Sequence, residues 1–339
     1  TSLMLSSLAL GTMITMSSFH WLLAWIGLEL NTLAIIPLIA KQHHPRATEA
    51  ATKYFLIQAA ASATLLFSST VNAWHTGTWD IMQLTAPPAS VMLTMALSMK
   101  LGLAPLHFWL PEVLQGSSLK TAMVITTWQK LAPMSLLYMT HHVLHPMTLL
   151  TLGILSTLVG GWGGLNQTQT RKIMAYSSIA HLGWMATILT LSPNIMLLNL
   201  ALYLTMTLSM FMVLIMTSSK TIKDMTTTWS TSPTTAALML ILLMSLGGLP
   251  PLTGFMPKWL ILQELTSHGL TTMATTLALS ALLSLFFYLR LSYMTALTLS
   301  PTPPQHKFKW RLPPKMNTTV LTTTLILSTL LLPTTPTFT

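Results

Sequence analysis

Apolar residues in this chain come in long blocks, and the polar residues between the blocks are few. Runs of roughly 20 apolar positions recur from one end to the other. A helix rising about 1.5 Å per residue needs that length to cross a hydrocarbon core about 30 Å thick. The runs do not alternate with the period of two that a membrane β-barrel requires. The pattern predicts eleven helical spans, at 3–19, 21–40, 51–72, 89–110, 121–140, 147–165, 173–191, 195–216, 235–265, 270–297 and 319–332. The ninth is too long and too rich in Gly and Pro to be one continuous helix. The predicted class is therefore an all-α membrane protein.

Composition agrees with that class. Only 6% of the 339 residues are charged and 52% are hydrophobic, where a soluble domain carries roughly 25% charge. There is no cysteine, which excludes disulfides, thiolate zinc sites and cysteine-held iron–sulfur clusters from this chain. The chain opens on Thr1 rather than Met, so a few residues are expected to precede it. No basic residue comes before Lys41. The first run thus lacks the charged start of a signal peptide and is expected to be a true span.

The net charge of +10 suggests nucleic acid until the charges are placed. Eleven spans leave ten loops on alternating sides. Lys41, Arg46, Lys120, Arg171, Lys172, Lys220, Lys223, Lys307, Lys309, Arg311 and Lys315 all fall in even-numbered loops, and no Lys or Arg falls in an odd one. Such one-sidedness is a topology signal. It predicts that the N-terminus and the basic loops lie inside and the C-terminus outside, with the bilayer as partner and no nucleic acid.

Five basic residues remain. Lys53 and Arg290 lie toward the inner ends of their spans, within snorkelling reach. Lys100, Lys130 and Lys258 lie deep, as does Glu29 in WIGLELNTLA. Two of the lysines flank related segments. GLAPLHFWLPE (102–112) and GLPPLTGFMPK (248–258) align without a gap and share Gly, Leu, Pro, Leu and Pro at the same places, ending on Glu112 and Lys258. One belongs to the fourth span and the other to the ninth. A five-helix unit duplicated in tandem must insert the opposite way round. We therefore expect two inverted repeats, residues 1–140 and 147–297, then a basic loop and last helix over 298–339. Paired interrupted helices in two such halves point to ion sites near the midplane.

A charge at the bilayer centre costs roughly 2.5–3.5 kcal/mol on insertion scales. Burial disfavours an ammonium and a nearby carboxylate favours it, so a lysine can be switched where an arginine cannot. We expect Glu29 to be the ionic partner of Lys100, with a proton passing from Lys100 to Lys130 and on to Lys258. His107, His181 and Glu112 are candidate relays, since a neutral imidazole both donates and accepts. Lys53 is left either in this set or snorkelling. Static ion pairs are the competing reading of every member.

Other signals carry less. The sequons at Asn166 and Asn317 fall on the basic side and are not expected to be used. His141, His142 and His145 have no acidic neighbour and are not expected to hold a metal. GGWGG (160–164) follows no strand, so close helix packing is the reading preferred to a nucleotide loop. Thr-rich 226–235 reads as loop. No nucleophile–base pair or phosphate loop stands out, so redox or hydrolytic chemistry is not expected on this chain.

KLGLAPLHFWLPEVLQGSS (100–118), GLNQTQTRKIMAYSSIAHLGWM (164–185), GLPPLTGFMPKWLILQEL (248–265) and WIGLELNTLAIIPLI near the start closely resemble the antiporter-like membrane chains of NADH:ubiquinone oxidoreductase, respiratory complex I, of the vertebrate mitochondrial type. The resemblance covers essentially the whole chain. It implies the bacterial fourteen-helix fold without its first three helices, with the fourth and ninth spans here discontinuous. It implies proton-path roles for Glu29, Lys53, Lys100, Lys130 and Lys258, each matching in its local motif. It also implies the mitochondrial inner membrane, basic side to the matrix and C-terminus to the intermembrane space. The implied partners are the other membrane-arm subunits of complex I, neighbouring antiporter-like chains among them. FMN, iron–sulfur clusters and ubiquinone are then expected on partner subunits, with no cofactor and no metal here. The competing functions are a stand-alone cation/proton antiporter, for which no cluster of intramembrane carboxylates stands out, and a purely structural membrane-arm subunit.

Overall fold

The structure is a computed structural model that describes residues 2–41, 43–297 and 318–333. Every regular element among them is a helix. In chain order these are α1 (Ser2–Ser17), α2 (Trp21–Ala40), α3 (Pro45–Thr76), α4 (Pro87–Leu101), α5 (Trp109–Gly116), α6 (Leu119–Thr126), α7 (Trp128–Thr140) and α8 (Pro146–Gly164). They continue with α9 (Thr170–Ile188), α10 (Pro193–Thr217), α11 (Ile222–Thr226), α12 (Thr228–Thr231), α13 (Pro233–Gly247), α14 (Phe255–Ser267), α15 (Thr271–Leu297) and α16 (Thr319–Leu330). Five of them, α2, α3, α8, α10 and α15, are long and apolar enough to cross a membrane unaided. Lys307, Lys309, Arg311, Lys315 and the Asn317 sequon lie outside the described residues.

Proline opens α3, α4, α8, α10 and α13, where its missing N–H costs nothing. Three of the expected spans arrive as two helices. The fourth is α4 and α5, and the ninth is α13 and α14. The fifth, expected to be continuous, breaks at Thr127 between α6 and α7. There the Thr126 hydroxyl bonds back to Ala122 O and that of Thr127 to Met123 O, at 3.0 and 2.7 Å. The Tyr203 hydroxyl donates to Thr126 O at 3.0 Å. Such back-bonding bends helices. The threonine-rich stretch expected as loop instead holds α12 and the start of α13. The cause lies upstream: Thr221 and Asp224 close a capping box that starts α11.

Two pairs of loops meet through backbone hydrogen bonds. The first and third loops meet where Trp21 N donates to Trp79 O and Ile81 N to Phe19 O. The sixth and eighth meet where Thr170 N donates to Lys220 O at 3.1 Å. The Arg290 guanidinium bonds the carbonyls of Leu165 and Gln167, at the sixth loop.

The buried apolar side chains form two clusters, and single helices pass from one to the other. In α2 the change falls between Leu28 and Ala34, and in α9 between Ile179 and Leu182. In α14 it falls between Leu260 and Ile261. Polar residues collect at this level: Glu29, Gln58, Lys100, Lys130, His181, Tyr203 and Lys258. The fold is thus two apolar layers around a thin polar belt, stacked along the helix axes.

Lipid offers helices no hydrophobic reason to associate, so close packing must do it. In both halves the first two long helices cross glycine to glycine. A Cβ on Gly11 would lie 2.8 Å from Gly27 O, and one on Gly183 would lie 2.7 Å from Gly153 O. Gly183→Val should therefore lower stability by about 1–3 kcal/mol or more. Gly77→Ala meets nothing within 4 Å and should show only the strain of its φ of 72°, about 1–2 kcal/mol. Thermal unfolding in detergent would check both.

Candidate functional site

An α-helix leaves its last four carbonyls without intrahelical partners. Inside a membrane no solvent replaces them, so a broken helix must find donors in the protein. At α4 the chain turns on Gly102, φ 79°, in a Schellman motif. Ser98 O accepts Gly102 N at 2.8 Å and Leu103 N at 3.0 Å. Met99 O accepts Trp109 Nε1 at 3.1 Å. Lys100 O accepts Gln58 Nε2 at 3.4 Å. Leu101 O accepts the Lys130 ammonium from α7.

The end of α13 repeats the scheme. Gly248 turns the chain at φ 75°, with Gly248 N donating to Ser245 O at 3.0 Å and Leu249 N to Met244 O at 3.2 Å. Lys258 Nζ donates to Gly247 O at 2.8 Å. In each half, then, the last carbonyl of the broken helix is held by a lysine. The carbonyl end carries the negative pole of the helix, which favours a cation there. Lys130 also lies over the Trp109 ring, 5.5 Å from its centroid, a cation–π distance.

Lys100 is placed differently. It is 5% exposed, and its ammonium makes no hydrogen bond among the described residues. The expected contact pair with Glu29 is not formed. Glu29 Oε2 is likewise buried without a partner among the described residues. The two side chains leave α2 and α4, both of which pack on α3, and no ion pair forms between them among the described residues. Lys100 and Lys130 instead share a cavity of about 10 Å³ with Tyr54, Gln58 and Gln129. That is on the scale of a single water, which needs about 10–15 Å³.

Lys53 is brought to carboxylates that the sequence did not assign to it. Its ammonium lies 2.6 Å from Glu49 and 2.6 Å from Glu112, bridging α3 to α5. All three side chains are well exposed, unlike Lys100 and Lys130. His107 is buried in the break between α4 and α5, against Phe108.

Sequence reasoning missed Tyr203. Its ring lies 5.6 Å from that of His181, and its hydroxyl reaches Thr126 O, four residues before Lys130. A buried phenol amid the apolar residues of α10 is the one signal that could have marked it.

Residues 18–284 match a family model described as NADH:quinone oxidoreductase/Mrp antiporter, transmembrane. Residues 285–339 match one described as NADH dehydrogenase subunit 2 C-terminus. The chain is 60% identical to NADH-ubiquinone oxidoreductase chain 2 of Xenopus laevis, covering 99% of this chain and 97% of that one. With the same-named chain of Oncorhynchus mykiss the identity is 58%, over 99% and 96%. A chain of respiratory complex I from Thermus thermophilus superposes with a TM-score of 0.85 at 28% identity, covering 98% of this chain and 79% of that one. A chain of the Mrp complex from Dietzia sp. DQ12-45-1b, at 18% identity and a TM-score of 0.80 over 88% and 60%, shares the fold.

Tyr203→Phe removes the donor to Thr126 O and should cost about 1 kcal/mol of stability. Glu112→Gln, on an exposed ion pair, should cost less than that. Chemical or thermal unfolding of the two variants would rank them.

Proposed function

This chain belongs to the NADH dehydrogenase subunit 2 family of respiratory complex I, and from that premise we propose that its belt of amines is the route by which it handles protons. The chain is a core membrane-arm subunit of the proton-translocating NADH:ubiquinone reductase, a multi-pass protein of the mitochondrial inner membrane beside other membrane-arm subunits.

In this reading eleven spans cross the membrane, the basic loops face the matrix, and residues 1–140 and 147–297 are inverted repeats. The matched Schellman ends at Gly102 and Gly248 and the matched glycine crossings support the repeat. Flavin, iron–sulfur and ubiquinone chemistry belongs to partner subunits.

One observation carries the mechanism: a lysine holds the open end of a broken helix in each half. A protonated amine grips a carbonyl through a charge-assisted bond, and a neutral amine grips it more weakly. Gain or loss of a proton therefore changes the hold on the helix end, and movement of the helix end changes the lysine's affinity for a proton. Glu29 sets the charge beside Lys100. Lys100 exchanges with Lys130 across their shared cavity. Tyr203 and His181 carry the link from the Lys130 side to Lys258, the phenol and imidazole each able to donate and accept. Lys53, with Glu49 and Glu112, stands at the matrix-side mouth.

Lys100→Met, Lys130→Met and Lys258→Met should each assemble into the complex and lose most of its proton translocation per NADH oxidised, with Tyr203→Phe intermediate. Proton uptake by the reconstituted complex is the readout. Full coupling in all three lysine variants would mean that the amines are static braces.

A further inference from the structure

The loops on the basic face converge on a pocket of about 350 Å³. His44 and Arg46 reach it from the start of α3, Ser118 from the cap of α6, Arg171 from the first turn of α9, and Lys220 from the loop after α10. None of the described residues lining it is acidic. The nearest carboxylates lie outside that lining, Glu49 beside Arg46 and Asp224 beside Lys220, and each has other partners. Glu49 and Glu112 both bond Lys53. Asp224 accepts the backbone N–H groups of Lys220 and Thr221, each at 2.9 Å. Although burial pushes the Asp224 carboxyl up, those donors hold it below its usual range.

Three permanent cations and an imidazole thus share one concave site with no counter-charge in its wall. Arg171 is braced there, because one edge of its guanidinium bonds Ser117 O while its Nε is buried and unpaired. Two helices, α6 and α9, begin at the same place and add the positive ends of their dipoles. A guanidinium fork matches a phosphate oxygen pair in a way an ammonium does not. The volume falls within the usual range for ligand pockets, about 300–1,000 Å³. Its depth is that of the ends of the membrane helices, where headgroups lie.

We infer that this pocket binds an anionic phosphate group, supplied by an anionic lipid headgroup or by free phosphate. Basic pockets between membrane helices on this side have the chemistry to hold such groups. The site adjoins the pocket of Lys53, Glu49 and Glu112, with Arg46, Gln115 and Gly116 lining both, but it does not depend on the proton mechanism.

The test uses the intact complex in nanodiscs of neutral phosphatidylcholine. These are doped with a photoreactive phosphatidic acid or with a photoreactive phosphatidylcholine of the same acyl chains, and cross-links are mapped by mass spectrometry. A second arm measures whether inorganic phosphate protects Lys220 from an amine-reactive label. Preferential capture of the phosphatidic acid at residues 44–46, 118–120, 171 and 220 assigns the site to a headgroup. R46Q and K220Q should then each reduce capture about fivefold, and K41Q, outside the pocket, should leave it unchanged. Protection by phosphate without lipid capture assigns it to the free anion. Equal capture of both lipids with Lys220 unprotected overturns the proposal, and that comparison needs no substituted chain.

Discussion

A carbonyl oxygen released in the middle of a membrane has no solvent to turn to, and that constraint organises this protein. Breaking α4 and α13 frees four carbonyls at each end. Left unpaired in hydrocarbon, each would cost several kcal/mol. The chain meets the demand with its own donors: two backbone N–H groups from the turn in each half, then side chains. The side chains chosen last are lysines. An apolar environment that penalises an ammonium is offset by the negative pole of the helix end on which that ammonium rests.

The layering follows. Each helix that crosses the belt carries its apolar residues in two blocks and spends one or two positions on polarity between them. Few such positions suffice because neighbours share them. Trp109 donates to Met99 O and also supplies the ring beneath Lys130. Tyr203 donates to Thr126 O beside the break and meets the His181 ring at a tilt. The belt is therefore thin, and the apolar layers above and below it stay intact.

Much of this was legible from the residues. Charges stranded in oil, at Lys100, Lys130 and Lys258, needed no structure to stand out. Nor did the Gly–Leu–x–Pro–Leu breaks or the parity of the basic loops. What escaped was whatever depended on reach. Glu29 and Lys100 read as partners, but only coordinates reveal that no ion pair forms between them. Lys53 and Glu112 are distant in sequence and meet only because α5 folds back along α3. The break at Thr127 hid in a chain where threonine is everywhere. Trp109 and Tyr203 hid because an aromatic residue in an apolar run reads as lipid-facing bulk until its polar atom is seen to point inward.

The two lysine contacts are alike in chemistry and unlike in mechanics. Lys130 reaches Leu101 from a different helix, so its bond spans the seam between α7 and α4. Lys258 reaches Gly247 from the far side of its own break, only eleven residues along the chain. Shear between helices strains the first contact and leaves the second untouched, whereas opening of a single hinge does the reverse. The first contact thus resists sliding between two helices, and the second resists bending at one break.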